Sequence, residues 1–268
     1  MAADFRSSLK FFITAVFASL ALIAPFSFAW AAETREARVT ALVRDVRLLP
    51  SHAASRPAAL NDNVTSGTAV RTGAESRAEL TFADQTLTRL GANTLFSFAE
   101  GARTIDLGSG AILLCVPKNG GTAVISTTGA TAAVTGGIAL LESHPKSTNT
   151  WNKFIVVEGR GTMRFNKIPA EPCVLHSGQM IMWQRPPTTC PQILNIDLSK
   201  LMNGRLFTFH KLPNWVWDLI RSEINKQQTG APPGGGYIDP TGLDVRDQEA
   251  ATAKPESVPR PRSGPPGD

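Results

Sequence analysis

Tyrosine is nearly missing from this chain, with one residue in 268. Cysteine numbers 3 and histidine 4. Charged residues make up 18% of the chain, below the roughly 25% of an ordinary soluble domain. Each shortage narrows the function. The low charge argues against a coiled coil or a highly charged disordered protein. His52, His144, His176 and His210 show neither H-x-x-x-H nor H-E-x-x-H spacing, and no cysteine stands at zinc-ligand spacing from them. No serine has a G-x-S-x-G context and no phosphate-cradling glycine loop is present. Strands and helices do not alternate, so a Rossmann or TIM-barrel enzyme is not expected. The expectation is therefore a protein without catalytic residues, metal or cofactor. The net charge of +5 is modest and the basic residues do not cluster, so no nucleic-acid partner is expected.

The two ends stand apart in composition. Arg6 and Lys10 precede an uncharged apolar run, Phe11–Phe28, and Ala29-Trp30-Ala31 follows with small residues at the first and third positions. Signal peptidase requires small side chains there, so residues 1–31 read as a signal peptide and the mature protein as periplasmic or extracellular. The alternative is an uncleaved anchor, because 18 apolar residues approach a membrane-spanning length. The membrane is a partner only in that case. At the other end, Gly230–Asp268 carries 8 prolines and 7 glycines and few large apolar residues. Such a composition does not bury enough surface to offset chain entropy, so residues 229–268 read as a disordered tail. One domain, residues 32–228, is left.

Within that domain the apolar pattern has period two. Ala78, Leu80 and Phe82 alternate with Arg77, Glu79 and Thr81, the signature of a half-buried strand. In Thr86–Leu90 the parity of Leu87 and Leu90 differs, which suggests a bulge. Similar short runs recur from Ala37 to Gln184. Gly73, Gly108, Gly159 and Gly178 stand where hairpins need positive φ, and Gly108-Ser109-Gly110 and Glu158-Gly159 read as turns. The fold class is all-β, a sandwich or roll of many short antiparallel strands. Helical spacing begins only after Asp197. Val216, Ile220 and Ile224 share one face of an amphipathic helix over 213–227, and Leu198–Met202 suits a short helical turn.

Several segments stand out in order: Thr68–Asp84 (TAVRTGAESRAELTFAD), Arg89–Thr94 (RLGANT), Leu107–Lys118 ending in VPK, Thr127–Gly137 (TTGATAAVTGG), Val157-Glu158-Gly159 and Leu175–Gln179 (LHSGQ). Together they span about Val64 to Met182, and in this order they resemble the FecR domain of bacterial envelope proteins. The chain departs from the family pattern at Thr135-Gly136-Gly137, where Arg-Gly-Thr is usual, and at Thr128, where proline is usual. The missing arginine puts in doubt any anion or carboxylate contact made there by relatives. About ten residues precede the apolar run, too few for the sigma-factor-binding region of FecR transducers. The resemblance thus implies a stand-alone exported FecR-domain protein. Its partner would be an envelope protein or polysaccharide. The alternative is a membrane-anchored signalling accessory with residues 11–28 retained.

Three residues are candidate binding positions. Trp151 follows the polar stretch Ser147–Thr150, and an exposed tryptophan can stack on a sugar. Arg77 and Arg89 are placed on the solvent-facing or cross-strand side of their strands, within reach of Glu79 or Asp106. Trp215 and Trp217 lie on the helix, with at least one expected in the core. In an oxidising compartment Cys173 and Cys190, 17 apart and flanking a proline-rich excursion, suit a disulfide. Cys115 with either of them is the other pairing; otherwise Cys115 is a buried thiol. N-terminal sequencing of the protein recovered from the host envelope is expected to begin at Ala32; a start upstream of Phe11 would establish the anchor instead.

Overall fold

The structure, a computed structural model, describes residues 36–99, 104–145, 152–166, 171–185 and 187–240. The proposed signal peptide lies outside the described residues, as do Trp151 and the tail beyond Pro240. No helix among the described residues is long and apolar enough to cross a membrane.

The chain first forms β1 (Glu36–Val43), β2 (Val46–Pro50), β3 (Arg56–Pro57), β4 (Asn63–Thr65), β5 (Thr68–Thr72) and β6 (Arg77–Phe82). There follow β7 (Leu87–Leu90), β8 (Leu95–Phe98), β9 (Thr104–Cys115), β10 (Thr122–Ser126) and β11 (Ala130–Ser143). Last come β12 (Asn152–Phe165), β13 (Cys173–His176), β14 (Gln179–Trp183) and β15 (Leu194–Asn195). Three helices close the described chain: α1 (Leu198–Leu201), α2 (Arg205–Thr208) and α3 (Asn214–Thr229). The all-β expectation holds, with a C-terminal helix. The strands join in one branched sheet whose main path runs β15-β14-β12-β11-β10-β9-β7-β6-β1-β4. Among the described residues all pairings of these strands are antiparallel except that of β9 with β10.

Two expectations about turns are corrected. Gly108-Ser109-Gly110 and Glu158-Gly159 lie inside β9 and β12, which are continuous strands. The glycines mark places where a strand changes partner or shifts register. β9 pairs with β8 up to Ser109, and from Gly110 onward with β11. Gly110 adopts φ +90°, and a Cβ there would lie 2.5 Å from Thr94 Cα, so glycine is required twice over. Gly159 and Gly178 have positive φ as expected; Gly73 and Gly108 do not, and Glu75 carries the positive φ beside Gly73. Asp84 does cap its own turn, its Oδ1 accepting from the Thr86 N–H at 2.9 Å.

The expected bulge in β7 is also absent. Leu87, Thr88, Arg89 and Leu90 pair in unbroken register with Thr81, Leu80, Glu79 and Ala78. Leu87 and Leu90 have opposite parity because both faces of this strand are buried, each in a different core. Leu90 joins an inner core with Val39, Leu80, Phe96, Ile112 and Ile181. The sheet folds back on itself, since strands from both ends of the path share that core. Leu87 joins an outer core with Leu113, Cys115, Ile138, Ile155 and Met180, covered by Leu198, Leu206, Phe207, Val216 and Ile220 of the helical layer. The same two-sided burial explains the unbroken apolar runs Ile112–Val116 and Phe154–Val157.

Arg89 fastens the helical layer to the sheet. It is 0% exposed, opposite Glu79 in the β6–β7 ladder. Its Nε donates to Glu79 Oε2 at 2.8 Å. Its Nη1 donates to the carbonyls of Leu206 and Phe207 at 2.8 and 3.0 Å, and its Nη2 to that of His210 at 2.8 Å. The guanidinium carbon lies 4.9 Å from the centroid of the Phe209 ring. Leu206 and Phe207 belong to a four-residue helix and His210 follows its end, where acceptors lack intrahelical partners. Glu79 is completed by Thr40, whose Oγ1 donates to Glu79 Oε1 at 2.8 Å, and by His210 Nδ1 at 3.2 Å from the same oxygen. The cross-strand pairing with Glu79 is as expected. The solvent-facing placement of Arg89 is corrected, because residues 198–229 fold over this face.

Cys173 and Cys190 are joined, with Cα atoms 5.6 Å apart, and Cys115 is free and buried. Burial pushes the Cys115 thiol up to about 12, so it is inert in the folded chain. A non-reducing peptide map is expected to show the 173–190 bridge, with Cys115 alkylated only after unfolding. In denaturant unfolding, Arg89→Met should cost about 3–5 kcal/mol, since it strands a buried carboxylate and three carbonyls. Adding Glu79→Leu should recover part of that loss; an unchanged midpoint for Arg89→Met would show that the layer is held by something else.

Candidate functional site

The fastened segment shapes the surface above it. After α2 the chain turns through Phe209–Leu212 into Pro213, which has φ −54° and ψ 146° and opens α3. Its carbonyl accepts from the N–H groups of Val216 and Trp217, both at 3.1 Å. Val216 and Ile220 then point into the outer core. Trp217, one position round from that stripe, points away from it and is 37% exposed. The result is an open groove of about 670 Å³, walled by Met202, Phe207, Phe209, His210, Leu212 and Trp217. Arg221 flanks it, its guanidinium carbon 5.5 Å from the Trp217 ring centroid. Lys211 lies on its lining, and Asp218 is exposed on the neighbouring turn of α3.

The groove has apolar walls on a fastened base. Its base is rigid, because Arg89 holds the carbonyls of Leu206, Phe207 and His210 from below. Its walls are aromatic and aliphatic, the composition of an interface hot spot. The His210–Glu79 contact resembles the orienting half of a catalytic triad. Among the described residues, however, no hydroxyl or thiol nucleophile is hydrogen-bonded to the His210 ring. Nor do the described residues contain a cluster of histidine, cysteine and carboxylates able to hold a metal ion.

The candidate residues do not converge. Arg77 is half-buried at the lip of a shallow hollow with Val43, Arg44, Glu75 and Arg205, where Arg44 and Glu75 form an ion pair. Arg89 lies beneath α2, with four of its N–H groups committed inside the protein. Trp151 lies outside the described residues. Its neighbour Asn152 borders a separate hollow of about 290 Å³ with Ser143, His144, Asn166 and Trp183. There Asn152 accepts from the His144 N–H at 2.8 Å and donates to the Trp183 carbonyl at 3.0 Å. Burial holds the His144 imidazole below its ordinary pKa. Trp183 itself is buried, edge-on to Phe165.

The groove residues Phe209, His210 and Trp217 are not among the sequence-derived candidates. A signal for Trp217 was present: it falls off the 216–220–224 stripe of an amphipathic helix. At Thr135, where the family usually carries arginine, the hydroxyl instead meets Thr122 Oγ1 at 2.7 Å, and Glu158 on β12 pairs with Lys118.

Comparison with known proteins bears on the sheet. No curated protein matches the chain. Two crystal structures of a candidate anti-sigma factor from Parabacteroides distasonis ATCC 8503 are similar, each at 16% identity. The first, at 2.50 Å, has a TM-score of 0.40 over 51% of this chain and 64% of that one, less than two thirds of its length. The second, at 1.65 Å, has a TM-score of 0.41 over 64% of this chain and 82% of that one. Residues 68–160 match the family model described as FecR protein. That match runs from β5 into β12, the strands that carry most of the sequence motifs, so this segment is similar to the FecR domain.

Proposed function

We propose that this is an exported, non-catalytic interaction module that presents the groove over α2 and α3 to a protein of the bacterial envelope. The observation that carries the reading is the groove itself. It gathers apolar side chains from three consecutive elements on a base pinned to the sheet, and leaves Trp217 exposed at its edge. Apolar walls on several sides favour a protein segment over a glycan, for which a single flat ring is the usual platform. Two further features support export. The N-terminal pattern reads as a signal peptide, and the Cys173–Cys190 bridge suits an oxidising compartment.

The full chain, immobilised, is expected to capture a defined protein from envelope extract of its host, and Trp217→Ser should weaken that capture about thirtyfold, the loss of a hot spot worth about 2 kcal/mol. Trp217 makes none of the hydrogen bonds of the fastening under α2, so the fold should survive the change, which circular dichroism checks. Capture that is indifferent to Trp217→Ser, or a glycan-array signal in place of a protein, would overturn the reading.

A further inference from the structure

The geometry points to an occupant for this groove within the chain itself: the segment Leu243–Glu249, seated through Leu243 and Val245. The last described residues show where the chain lies just ahead of that segment. Ile238 forms a parallel bridge with Ile196, donating to the Asn195 carbonyl at 2.9 Å while its own carbonyl accepts from Asp197 at 2.8 Å. A parallel bridge means that both chains leave it in the same direction. From Ile196 the chain continues into α1 and reaches Met202, which forms a wall of the groove. Asp239 lies beside α1, its Oδ2 3.5 Å from the Nζ of Lys200, and Pro240 is buried.

The distances suit the seat. Met202 is five residues beyond Asp197, so a helical rise of about 1.5 Å per residue puts it roughly 7 Å along the axis. Leu243 is five residues beyond Ile238, and an extended chain covers up to about 16 Å in that span. The sequence there is Thr241-Gly242-Leu243-Asp244-Val245-Arg246-Asp247-Gln248-Glu249. Leu243 and Val245 share one side of an extended strand, and beyond Pro240 the other large apolar residue is Val258 alone. Asp244, Asp247 and Glu249 against Arg246 give the segment a net negative charge. The groove's rim carries Lys211 and Arg221 together with His210, set against Asp218. An acidic segment with two apolar anchors thus matches an apolar groove with a mainly basic rim.

Seated there, the segment would shield Trp217 and compete with any partner for the groove. The competition rests on the proposed function; the seating does not. Its test uses the full chain with 15N-labelled tryptophan indoles and a nitroxide at Gln248→Cys. Cys115 is buried and the other two cysteines are bonded, so the label attaches at position 248. The Trp217 indole signal, identified by its loss in Trp217→Phe, is expected to fall by more than half. Leu243→Asp combined with Val245→Asp should restore it and raise partner capture several-fold.

A Trp217 signal untouched by the label, or equally reduced after the double change, overturns the seating. So does the same loss in a mixture with label and isotope on different chains, which would assign the groove to a second copy. The two readings fail separately. Capture lost in Trp217→Ser with no label effect leaves the function and removes the seat, and a label effect with capture unchanged does the reverse.

Discussion

A guanidinium with no exposure to water must find its acceptors inside the protein, and this requirement organises the molecule around Arg89. The sheet supplies one carboxylate, Glu79, from the neighbouring strand. The remaining acceptors are carbonyls of Leu206, Phe207 and His210, which no strand could deliver. Desolvating this charge is expensive unless all of them arrive together. The short helix α2 is therefore not a decorative cap: its C-terminal carbonyls complete a charge that the sheet alone leaves unsatisfied. The position of Phe209, and with it one wall of the groove, follows from that demand.

The second constraint is the two-sided burial of the central strands. In an antiparallel sheet with one wet face, apolar residues alternate. In β9, β11, β12 and β14 they do not; Ile112–Val116, Ile138–Leu141, Phe154–Val157 and Met180–Trp183 are apolar at every position. One set of parities fills the inner core and the other meets the helices. A helix of ordinary amphipathicity such as α3 is thus enough to finish the fold, because the sheet already presents a continuous apolar field to receive it.

Much of this was legible in the residues. The period-two run Arg77–Phe82 forms β6 with the same bounds, all but the last of the FecR-like segments fall within the family match, and Cys173 pairs with Cys190. What was not legible has physical causes. Glycines at 110 and 159 looked like turns because positive φ is usual there, yet a long strand uses the same conformation to shift register. Leu87 and Leu90 looked like a bulge because the second core is closed by helical residues more than a hundred positions away. Arg89 looked like a surface residue for the same reason. The unbroken apolar runs did contain the clue, since they require a cover on both faces. Trp217 was similarly marked by its place off the helical stripe.

The fastening under α2 joins residues separated by 117 to 121 positions. A polypeptide is made from its N-terminus, so β6 and β7 exist as chain long before His210 does. Until then the guanidinium of Arg89 and the carboxylate of Glu79 share a sheet face with no lid, and that face cannot dry out. The outer core is consequently a report on the completeness of the chain. A product cut short ahead of α2 keeps its strands but retains a wet, charged flank, which sets it apart from the finished molecule for any protease or chaperone that inspects it.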